Sequence, residues 1–259
     1  MESSLKGLKD KVVIVTGGGG GIGSATCRRF AEAGAKLAVY DINNAAALAV
    51  SESISKAGGS ARAYTIDLTD LNRLADIVAV TKRELGPIDV LVNNAGWDQF
   101  TPFLKTTPDL WNKIIEINLK GVLNAMYTVL PSMVERRQGR VVTVSSDAGR
   151  VGSSGEAVYS ACKGGLIALS KTLAREHSRH GITFNVVCPG LTETPLFTDF
   201  LASSGNPEKL REAFVRATPL GRIGDPEDLP GAICFLACEE AAFITGQVIS
   251  VSGGLTMHG

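Results

Sequence analysis

The segment "KVVIVTGGGGGIG", residues 11 to 23, runs from an apolar stretch directly into five consecutive glycines. Its β-branched residues predict a strand that ends at Thr16, and the following "SATCRRFAEAG" predicts a helix. Glycines let the backbone turn sharply and approach a bound anion, which the first N–H groups of the helix then face. The segment therefore predicts a pyrophosphate-binding turn between a strand and a helix.

Two glycine spacings in this turn match phosphate-binding loops. GxGxxG runs through Gly18, Gly20 and Gly23, whereas GxxxGxG runs through Gly17, Gly21 and Gly23. Spacing alone leaves the register open, and a flexible turn is the alternative, which the flanking strand and helix make less plausible. The predicted contacts of this turn with a dinucleotide are Gly17, Gly20, Gly21, Ile22 and Gly23.

Six further β-rich runs alternate with helical patterns along the chain. They begin at residues 36 (KLAVYD), 61 (ARAYTI), 88 (IDVLVN), 139 (GRVVTVSS), 182 (ITFNVVC) and 247 (QVISVS). The segments between them are mostly long enough for a crossover helix, which makes the strands parallel. We predict a single α/β domain over residues 1–259, a doubly wound (Rossmann) sheet of about seven strands in the order 3-2-1-4-5-6-7, with helices on both faces.

One connection is unusually long for such a sheet. Residues 191 to 225 follow the sixth strand and contain two short helix-like pieces but no strand pattern. Because ligands of open α/β sheets bind beyond the carboxyl ends of the strands, we predict a mobile substrate lid here. An ordinary surface excursion is the alternative.

Charge and composition narrow the possible partners. Lysine plus arginine equals aspartate plus glutamate at 26 each, so no net field attracts nucleic acid or a membrane, and we expect small molecules or further copies of the chain as partners. The polar start and the absence of a membrane-spanning apolar run predict a cytoplasmic protein. Five cysteines without CxxC spacing and three histidines predict reduced, buried thiols and no metal site.

Polar residues at further strand ends extend the predicted dinucleotide site. Asp41, followed by Ile42, ends the second strand, where a carboxylate accepts hydrogen bonds from ribose hydroxyls and repels a 2'-phosphate, which favours NAD over NADP. Asp67, followed by Leu68, ends the third strand and either contacts the adenine or caps the next helix, for which Asp70 is a second candidate. Small residues in "NNAG" let a cofactor lie against the backbone after the fourth strand, at Asn94, Ala95 and Gly96.

Tyr159 and Lys163 stand four positions apart in "AVYSACKGG", which places them on one face of a helix. A phenol with its ordinary pKa of about 10 is a poor base at neutral pH. An ammonium at about 5 Å in an effective dielectric near 20 favours the phenolate by about 3 kcal/mol, and the positive nicotinamide ring of an oxidised cofactor acts in the same direction. The pair is therefore predicted to remove a proton from an alcohol, unless the two residues are merely surface neighbours.

Two other polar residues belong to the predicted chemistry. Ser146 ends the fifth strand, thirteen residues before Tyr159, so both hydroxyls can meet one substrate oxygen. Ser145 is the competing candidate, and the pair of serines is otherwise a cap or a turn. Asn118 lies in a helical pattern that disfavours asparagine, which indicates either a functional hydrogen bond or a satisfied core amide.

With these residues in place, the chain resembles the short-chain dehydrogenase/reductase family over nearly its whole length. The motifs "TGGGGGIG", "NNAG", the Asn118 segment, "YSACK", "CPGLTET" and "ITGQVISVSGG" occur in family order. The resemblance implies that Tyr159 is the acid/base, that Lys163 lowers its pKa and binds the nicotinamide ribose, and that Ser146 positions the substrate oxygen. It also implies that Asn118 holds a water, and that the cofactor meets Pro189, Gly190, Thr192 and Thr194. Ser252 departs from the aspartate of many members, which leaves the C-terminal contacts open.

Longer strings, such as "NNAGWD" and "SDAGRVGSSGEAVYSACKGG", look like the 2-hydroxycyclohexanecarboxyl-CoA dehydrogenases of that family. This resemblance implies NAD-dependent oxidation of a ring alcohol on a CoA thioester, and homotetramers. Trp97 and Phe100 are candidates for a ring pocket. Candidates for CoA contacts are Arg150, Lys209, Arg211 and Arg216. The alternatives are a 3-oxoacyl-thioester reductase, another secondary-alcohol dehydrogenase and, more remotely, a non-catalytic nicotinamide-binding regulator.

Overall fold

The computed structural model describes residues 5–257, so residues 1–4 and 258–259 of the predicted domain lie outside it. Within this range, seven strands form one parallel sheet: β1 Val12–Thr16, β2 Lys36–Asp41, β3 Ser60–Thr65, β4 Ile88–Asn93, β5 Gly139–Val144, β6 Ile182–Pro189 and β7 Val248–Val251. Their order in the sheet is β3-β2-β1-β4-β5-β6-β7. The predicted doubly wound sheet, its strand order and its approximate strand boundaries are confirmed.

Helices follow the strands as crossover connections. They are α1 Gly21–Glu32, α2 Asn44–Lys56, α3 Leu71–Leu85, α4 Pro108–Ile115, α5 Gly121–Arg136, α6 Ala148–Val151, α7 Ala157–His177, α8 Pro195–Ser203, α9 Pro207–Ala217 and α10 Pro230–Ala237. A π-helical turn, Glu116–Lys120, joins α4 to α5. Polar side chains begin several helices; Asn43, for example, accepts a hydrogen bond from the main chain of Ala46 at the start of α2.

Helices cover both faces of the sheet because successive strand residues point to opposite sides. Val13 and Val15 of β1 join a buried cluster with α1, α2 and α10. Val12 and Ile14 join a second buried cluster with α3, α5 and α7. Since both faces are buried, the strands read as nearly continuous apolar runs. Their carboxyl ends share one edge of the sheet, which the candidate site occupies.

The long connection after β6 forms α8 and α9 over this edge. Its apolar side chains make a small cluster of their own around Phe197, Leu201 and Ile223. Outside the named strands, Thr192 pairs with Gly224 through an isolated parallel bridge, which ties the two ends of the connection together. The two helix-like pieces of the sequence are thus real helices, and the motion of a lid stays a prediction.

The cysteines and the helices bear on disulfides, metal binding and membrane insertion. All five cysteines are buried and unpaired in the part of the chain that the structure describes. Among residues 5–257, no group of three or more His, Cys, Asp or Glu side chains is arranged to hold a metal ion. None of the helices in the same range has the length and the hydropathy to cross a bilayer.

Candidate active site

A cavity of about 720 Å³ lies at the carboxyl edge of the sheet. It is lined by every residue predicted to bind the cofactor and by three of the four predicted catalytic residues. These are Gly17, Gly20, Gly21, Ile22, Gly23, Asp41, Ile42, Asp67, Leu68, Asn94, Ala95, Gly96, Ser146, Tyr159, Lys163, Pro189, Gly190, Thr192 and Thr194. Asn118 does not line it. Residues spread over 178 positions of sequence therefore meet around one space.

The glycine turn resolves the register that spacing left open. Gly17 has a φ of +63° and lines the cavity together with Gly21 and Gly23. Gly18 faces the protein instead, because a Cβ there would come within 2.8 Å of Val39. GxxxGxG is thus the spacing whose glycines all face the cavity. A Cβ on Gly23 would lie 2.0 Å from the Gly17 carbonyl oxygen, so this position accepts only glycine.

The open side of the turn fits a dinucleotide. The nearest protein atom to a Cβ built on Gly20 is 3.5 Å away, and the nearest to one on Gly21 is 3.4 Å away. The protein therefore leaves the approach to the start of α1 free, where the backbone N–H groups favour an anion. These residues are suited to hold a pyrophosphate.

Asp41 stands at one end of the cavity. One of its carboxylate oxygens accepts a hydrogen bond of 2.9 Å from the main chain of Gly19, and the other accepts one of 2.9 Å from Asn43. These bonds fix the carboxylate beside the glycine turn. Each carboxylate oxygen has two lone pairs, so Asp41 retains acceptor capacity for hydroxyl groups.

Asp67 and Asp70, which follow β3, have different roles in the structure. Asp70 caps α3, since its side chain accepts a hydrogen bond of 2.9 Å from the main chain of Arg73. Asp67 accepts bonds from the main chain and the hydroxyl of Thr69 and lines the cavity. Asp67 is therefore free of the capping role, and its contact with an adenine stays a prediction.

The end of β4 is fixed to the glycine turn by Asn94. Its side-chain amide donates hydrogen bonds to the main-chain carbonyls of Thr16 and Gly17, at 3.0 and 3.1 Å. The Thr16 hydroxyl accepts hydrogen bonds from the main chain of Asn94 and Ala95. Asn94 thus holds the turn in shape, and the small Ala95 and Gly96 form the adjoining cavity wall.

The chemical end of the cavity brings together α7 and the end of β5. The Nζ atom of Lys163 lies 5.4 Å from the centre of the Tyr159 ring, so both side chains project on the same side of α7. Lys163 is buried and donates a hydrogen bond of 3.1 Å to the carbonyl of Val144. The Ser146 hydroxyl faces the Tyr159 phenol. Ser145 also lines the cavity, but its hydroxyl donates to the main-chain carbonyl of Lys163, so its proton is already engaged.

The end of β6 and the start of α8 close the site opposite Tyr159. The Thr192 hydroxyl donates to the carbonyl of Gly190, and the Thr194 hydroxyl accepts a bond from the main chain of Phe197 at the first turn of α8. A family model described as "short chain dehydrogenase" matches residues 11–204, the part of the chain that carries these elements. The chain belongs to the short-chain dehydrogenase family.

Relatives of this short-chain dehydrogenase match it along almost their whole length. The 3-oxoacyl-(acyl-carrier-protein) reductase of Thermotoga maritima is 38% identical over 250 residues, which cover 96% of this chain and 99% of the reductase. The acetoacetyl-CoA reductase of Shinella zoogloeoides is 40% identical over 246 residues, covering 94% and 98%. A crystal structure of levodione reductase superposes with a TM-score of 0.92 at 31% identity, covering 95% and 97%. The protein is therefore an oxidoreductase that acts on a secondary alcohol or a ketone.

The pKa of Tyr159 in this dehydrogenase, without a bound cofactor, lies above its ordinary value. Burial raises the pKa of the Tyr159 phenol, the nearby carboxyl groups of Glu156 and Asp98 raise it further, and the hydrogen bond to Ser146 offsets only part of the rise. The same burial lowers the pKa of Lys163 to about 8. The lysine lies where it was expected, and in the protein alone desolvation of the phenolate is the main cause of the raised pKa. The lowering predicted for Lys163 together with the oxidised nicotinamide stays a prediction.

Asn118 is the buried amide of the π-helical turn. Its amide group donates to the carbonyls of Trp97 and Ile114, at 2.6 and 2.9 Å, and its oxygen accepts from the main chain of Trp97 at 3.2 Å. These bonds join the turn to the segment after β4. The side chain is thus a satisfied core amide, and the water that the family resemblance assigns to Asn118 stays a prediction.

The structure does not place all of the candidate substrate contacts at the main cavity. Trp97 lines a separate cavity, with the Lys113 ammonium 3.7 Å from its ring centre, whereas Phe100 lines the main cavity and stacks on Phe200. Arg150 donates to the Ser250 hydroxyl at 2.7 Å. The lid arginines Arg211 and Arg216 form ion pairs with Glu193 and Glu212. Arg150 is therefore held by the protein itself, whereas Arg211 and Arg216, in exposed ion pairs, and the exposed Lys209 stay candidates for CoA.

Several residues in or near the cavity are not among those predicted from the sequence, and four of them matter for the site. Leu255 and Thr256 line the cavity after β7, where the departure at Ser252 had left the contacts open. Glu156 lines it beside Tyr159, and Asp98 lies buried behind Glu156. The only sequence signal for Glu156 is its position three residues before Tyr159, because Glu156 precedes α7 and has non-helical backbone angles. The burial of Asp98 depends on tertiary packing, and no local sequence pattern indicates it.

Proposed function

We propose that the protein oxidises a ring alcohol on an acyl-CoA with NAD, converting 2-hydroxycyclohexanecarboxyl-CoA to 2-ketocyclohexanecarboxyl-CoA. One observation supports the reaction type above the others. A single cavity joins a glycine turn and a fixed carboxylate, Asp41, to the group of Tyr159, Ser146 and Lys163. The first part suits a dinucleotide and the second suits proton transfer at an alcohol.

When bound, NAD supplies the hydride acceptor and a positive ring near the phenol. The protein's own residues do the rest. Ser146 holds the alcohol oxygen, and the phenolate of Tyr159 takes the hydroxyl proton. Lys163, fixed by Val144, provides a positive charge on the same side of α7. Because burial opposes the phenolate in the protein alone, proton removal depends on the cavity being filled.

The substrate class rests on two supports. Two relatives are named for 3-oxoacyl and acetoacetyl thioesters, in which the ketone lies two carbons from the thioester carbonyl. The alcohol of the proposed ring substrate has the same relation to its thioester. The cavity wall next to Tyr159 includes the apolar side chains of Phe100, Val151, Leu196 and Phe197, which suit an alicyclic ring.

Oxidation assays with purified protein and NAD separate this proposal from its alternative. We expect kcat/KM for 2-hydroxycyclohexanecarboxyl-CoA to exceed that for linear 3-hydroxybutyryl-CoA by at least about tenfold, which corresponds to about 1.4 kcal/mol. Equal or better use of the linear thioester would favour the 3-oxoacyl-thioester reductase. Turnover of free cyclohexanol but of neither thioester would contradict both.

Asp41 is proposed to select NAD over NADP. Removing its charge in Asp41→Ser should reduce repulsion of a 2'-phosphate, which for unit charges about 4 Å apart in an effective dielectric near 20 is about 4 kcal/mol before solvent screening. We expect the ratio of kcat/KM with NAD to that with NADP to fall on the order of 10²-fold. Asp76→Ser, on α3 and away from the cavity lining, is the matched control. An unchanged ratio in Asp41→Ser would refute the proposed selection.

A homotetramer is proposed from the family resemblance and from exposed apolar side chains around α4 and α5. Leu104, Ile115 and Leu123 are 96%, 40% and 41% exposed. Burial of such side chains between copies would remove apolar area from water. Light scattering is expected to give a mass of about four chains at micromolar concentration, and a monomer would reject the assembly.

A further inference from the structure

Two carboxyl groups outside the expected catalytic set lie beside Tyr159. Asp98 follows β4 and is 5% exposed. Glu156 immediately precedes α7, three positions before Tyr159. A main-chain hydrogen bond of 2.9 Å from Thr101 to the carbonyl of Gly155 joins the two segments. The backbone thus holds an acidic side chain from each segment in one place.

Asp98 lacks the partners that a buried carboxylate normally has. Neither of its carboxyl oxygens accepts a hydrogen bond of normal geometry from any residue within 5–257. Around it are the Glu156 carboxyl, the Lys163 ammonium, the Cys162 thiol and the main chain of Gln99. A buried charge without hydrogen bonds is costly, so this arrangement favours retention of a proton near Asp98.

The ionisation of the two carboxyl groups is coupled. Burial raises the pKa of Asp98 to about 6, and the main chain of Gln99, the Glu156 carboxyl group and the Lys163 ammonium partly offset the rise. Burial also raises the pKa of Glu156, the Asp98 charge adds to the rise, and a hydrogen bond with Ser153 offsets part of it. Two neighbouring carboxyl groups in such surroundings bind their protons as a pair.

Only one member of the pair reaches the cavity. Glu156 lines it together with Tyr159 and Ser146, whereas Asp98 lies behind and does not. Glu156 precedes the first turn of α7, and its carboxyl group is close enough to the Tyr159 phenol to affect its ionisation. A protonated Glu156 is therefore a hydrogen-bond donor next to the place where the alcohol oxygen is proposed to bind.

We propose that the pair of Asp98 and Glu156 binds one proton and that, when substrate is present, this proton lies on Glu156, whose O–H group donates a hydrogen bond to the thioester carbonyl. In a β-hydroxy thioester, this carbonyl lies two carbons from the alcohol carbon, so neighbouring donors are suited to hold the two oxygens. The donation rests on the proposed thioester substrate. Glu156 is then a specificity-determining residue, and Asp98 is a positioning residue that keeps Glu156 protonated.

Infrared titration tests the shared proton without any substrate. The carbonyl stretch of a protonated carboxyl group is expected to persist in the wild-type protein at neutral pH, to disappear in Glu156→Gln, and to titrate at lower pH in Asp98→Asn, where the neighbouring negative charge is absent. Glu52→Gln, at an exposed residue of α2, is the control that leaves the band unchanged. Absence of a protonated carboxyl at neutral pH in the wild type overturns the proposal.

Substrate comparison tests the donation. Removal of the donor in Glu156→Leu is expected to lower kcat/KM for the ring thioester by about 10- to 100-fold, as for loss of a hydrogen bond in a buried site. The loss for cyclohexanol, which has no thioester carbonyl, is expected to be several times smaller. Equal losses on both substrates would show a merely structural role and would overturn the donation.

A pH series keeps the test decisive if Glu156→Leu does not fold. The wild-type ratio of kcat/KM for the thioester to that for cyclohexanol is expected to fall as pH rises, because Glu156 loses its proton while the titration of Tyr159 affects both substrates. In Glu156→Gln, which keeps a donor that cannot ionise, the ratio is expected to be flat. A wild-type ratio that does not change with pH would overturn the proposed hydrogen-bond donation by Glu156.

Turnover of cyclohexanol but of no thioester by the wild type would overturn both the proposed function and the proposed donation. The infrared titration would then still test whether the two carboxyl groups bind one proton at neutral pH.

Discussion

Replacement of Tyr159 by phenylalanine is expected to lower kcat by about 10³-fold or more while NADH binding persists. The substitution removes the hydroxyl that transfers the proton, and general acid–base catalysis contributes typically about 10² to 10⁴ in rate. The ring itself remains, so packing at the start of α7 and the position of Lys163 are preserved. Initial rates with NAD and the ring thioester, together with fluorescence titration of NADH, measure both parts of the expectation.

Tyr127→Phe is the matched control, because Tyr127 is 74% exposed on α5 and its hydroxyl is remote from the cavity lining. It is expected to retain wild-type rates and NADH affinity. Turnover of Tyr159→Phe within tenfold of the wild type would remove the acid/base assignment. Loss of NADH binding together with turnover would instead indicate damage to the cavity.

Replacement of Gly23 by alanine is expected to abolish dinucleotide binding and to destabilise the fold. The added Cβ would lie 2.0 Å from the Gly17 carbonyl oxygen and 2.7 Å from the Asn94 amide nitrogen, and backbone atoms cannot move aside cheaply. Overpacking of this kind costs about 3 kcal/mol or more. For a chain of this size, the melting temperature would fall by about 6–12 °C. Calorimetry and NADH titration provide the measurements.

Gly20→Ala is the control within the same turn. Its Cβ would have only the Gly17 carbonyl nearby, at 3.5 Å, so the melting temperature is expected to stay within about 2 °C of the wild type. Any loss of NADH affinity in this variant then reports on the bound dinucleotide, since the fold is unaffected. Gly23→Ala with wild-type stability and affinity would contradict the role given to the GxxxGxG spacing.

The sheet and the position of its site were accessible from the sequence because they depend on local patterns. Apolar runs such as those of β1 and β6 identify strands buried on both faces, and crossover lengths make them parallel. Parallel strands share one carboxyl edge, so polar residues such as Asp41 and Ser146, at the ends of different strands, were predicted to meet. The structure places both around the same cavity.

The sequence could not give the direction of the Tyr159 pKa shift. A distance of about 5 Å to Lys163 follows from helical spacing, and the observed 5.4 Å agrees with it. The desolvation of the phenolate depends on side chains from distant segments, and Asp98 comes from the connection after β4. A pairwise estimate of charge attraction omits this effect, so it does not give the pKa of Tyr159 in the protein alone.

Substrate contacts could not be predicted reliably from the sequence because they depend on the orientation of individual side chains. Trp97 and Phe100 lie three residues apart in an irregular segment, where no period indicates which ring faces the cavity. Arg150 is a candidate for a CoA contact in the sequence. In the structure, its guanidinium donates a hydrogen bond to Ser250 of β7, one hundred residues later. Such pairings are consequences of tertiary structure and leave no mark on local sequence.

Ultraviolet titration of the Tyr159 phenol, as the absorbance difference between the wild type and Tyr159→Phe, tests the central claim most directly. Because burial and two carboxyl groups oppose its ionisation, we expect Tyr159 in the protein alone to ionise above the ordinary pKa of a phenol, about 10. NAD should lower this pKa through the positive charge of its ring, and NADH should lower it much less. A phenolate already present at neutral pH in the protein alone, or a pKa that does not respond to NAD, would contradict the account.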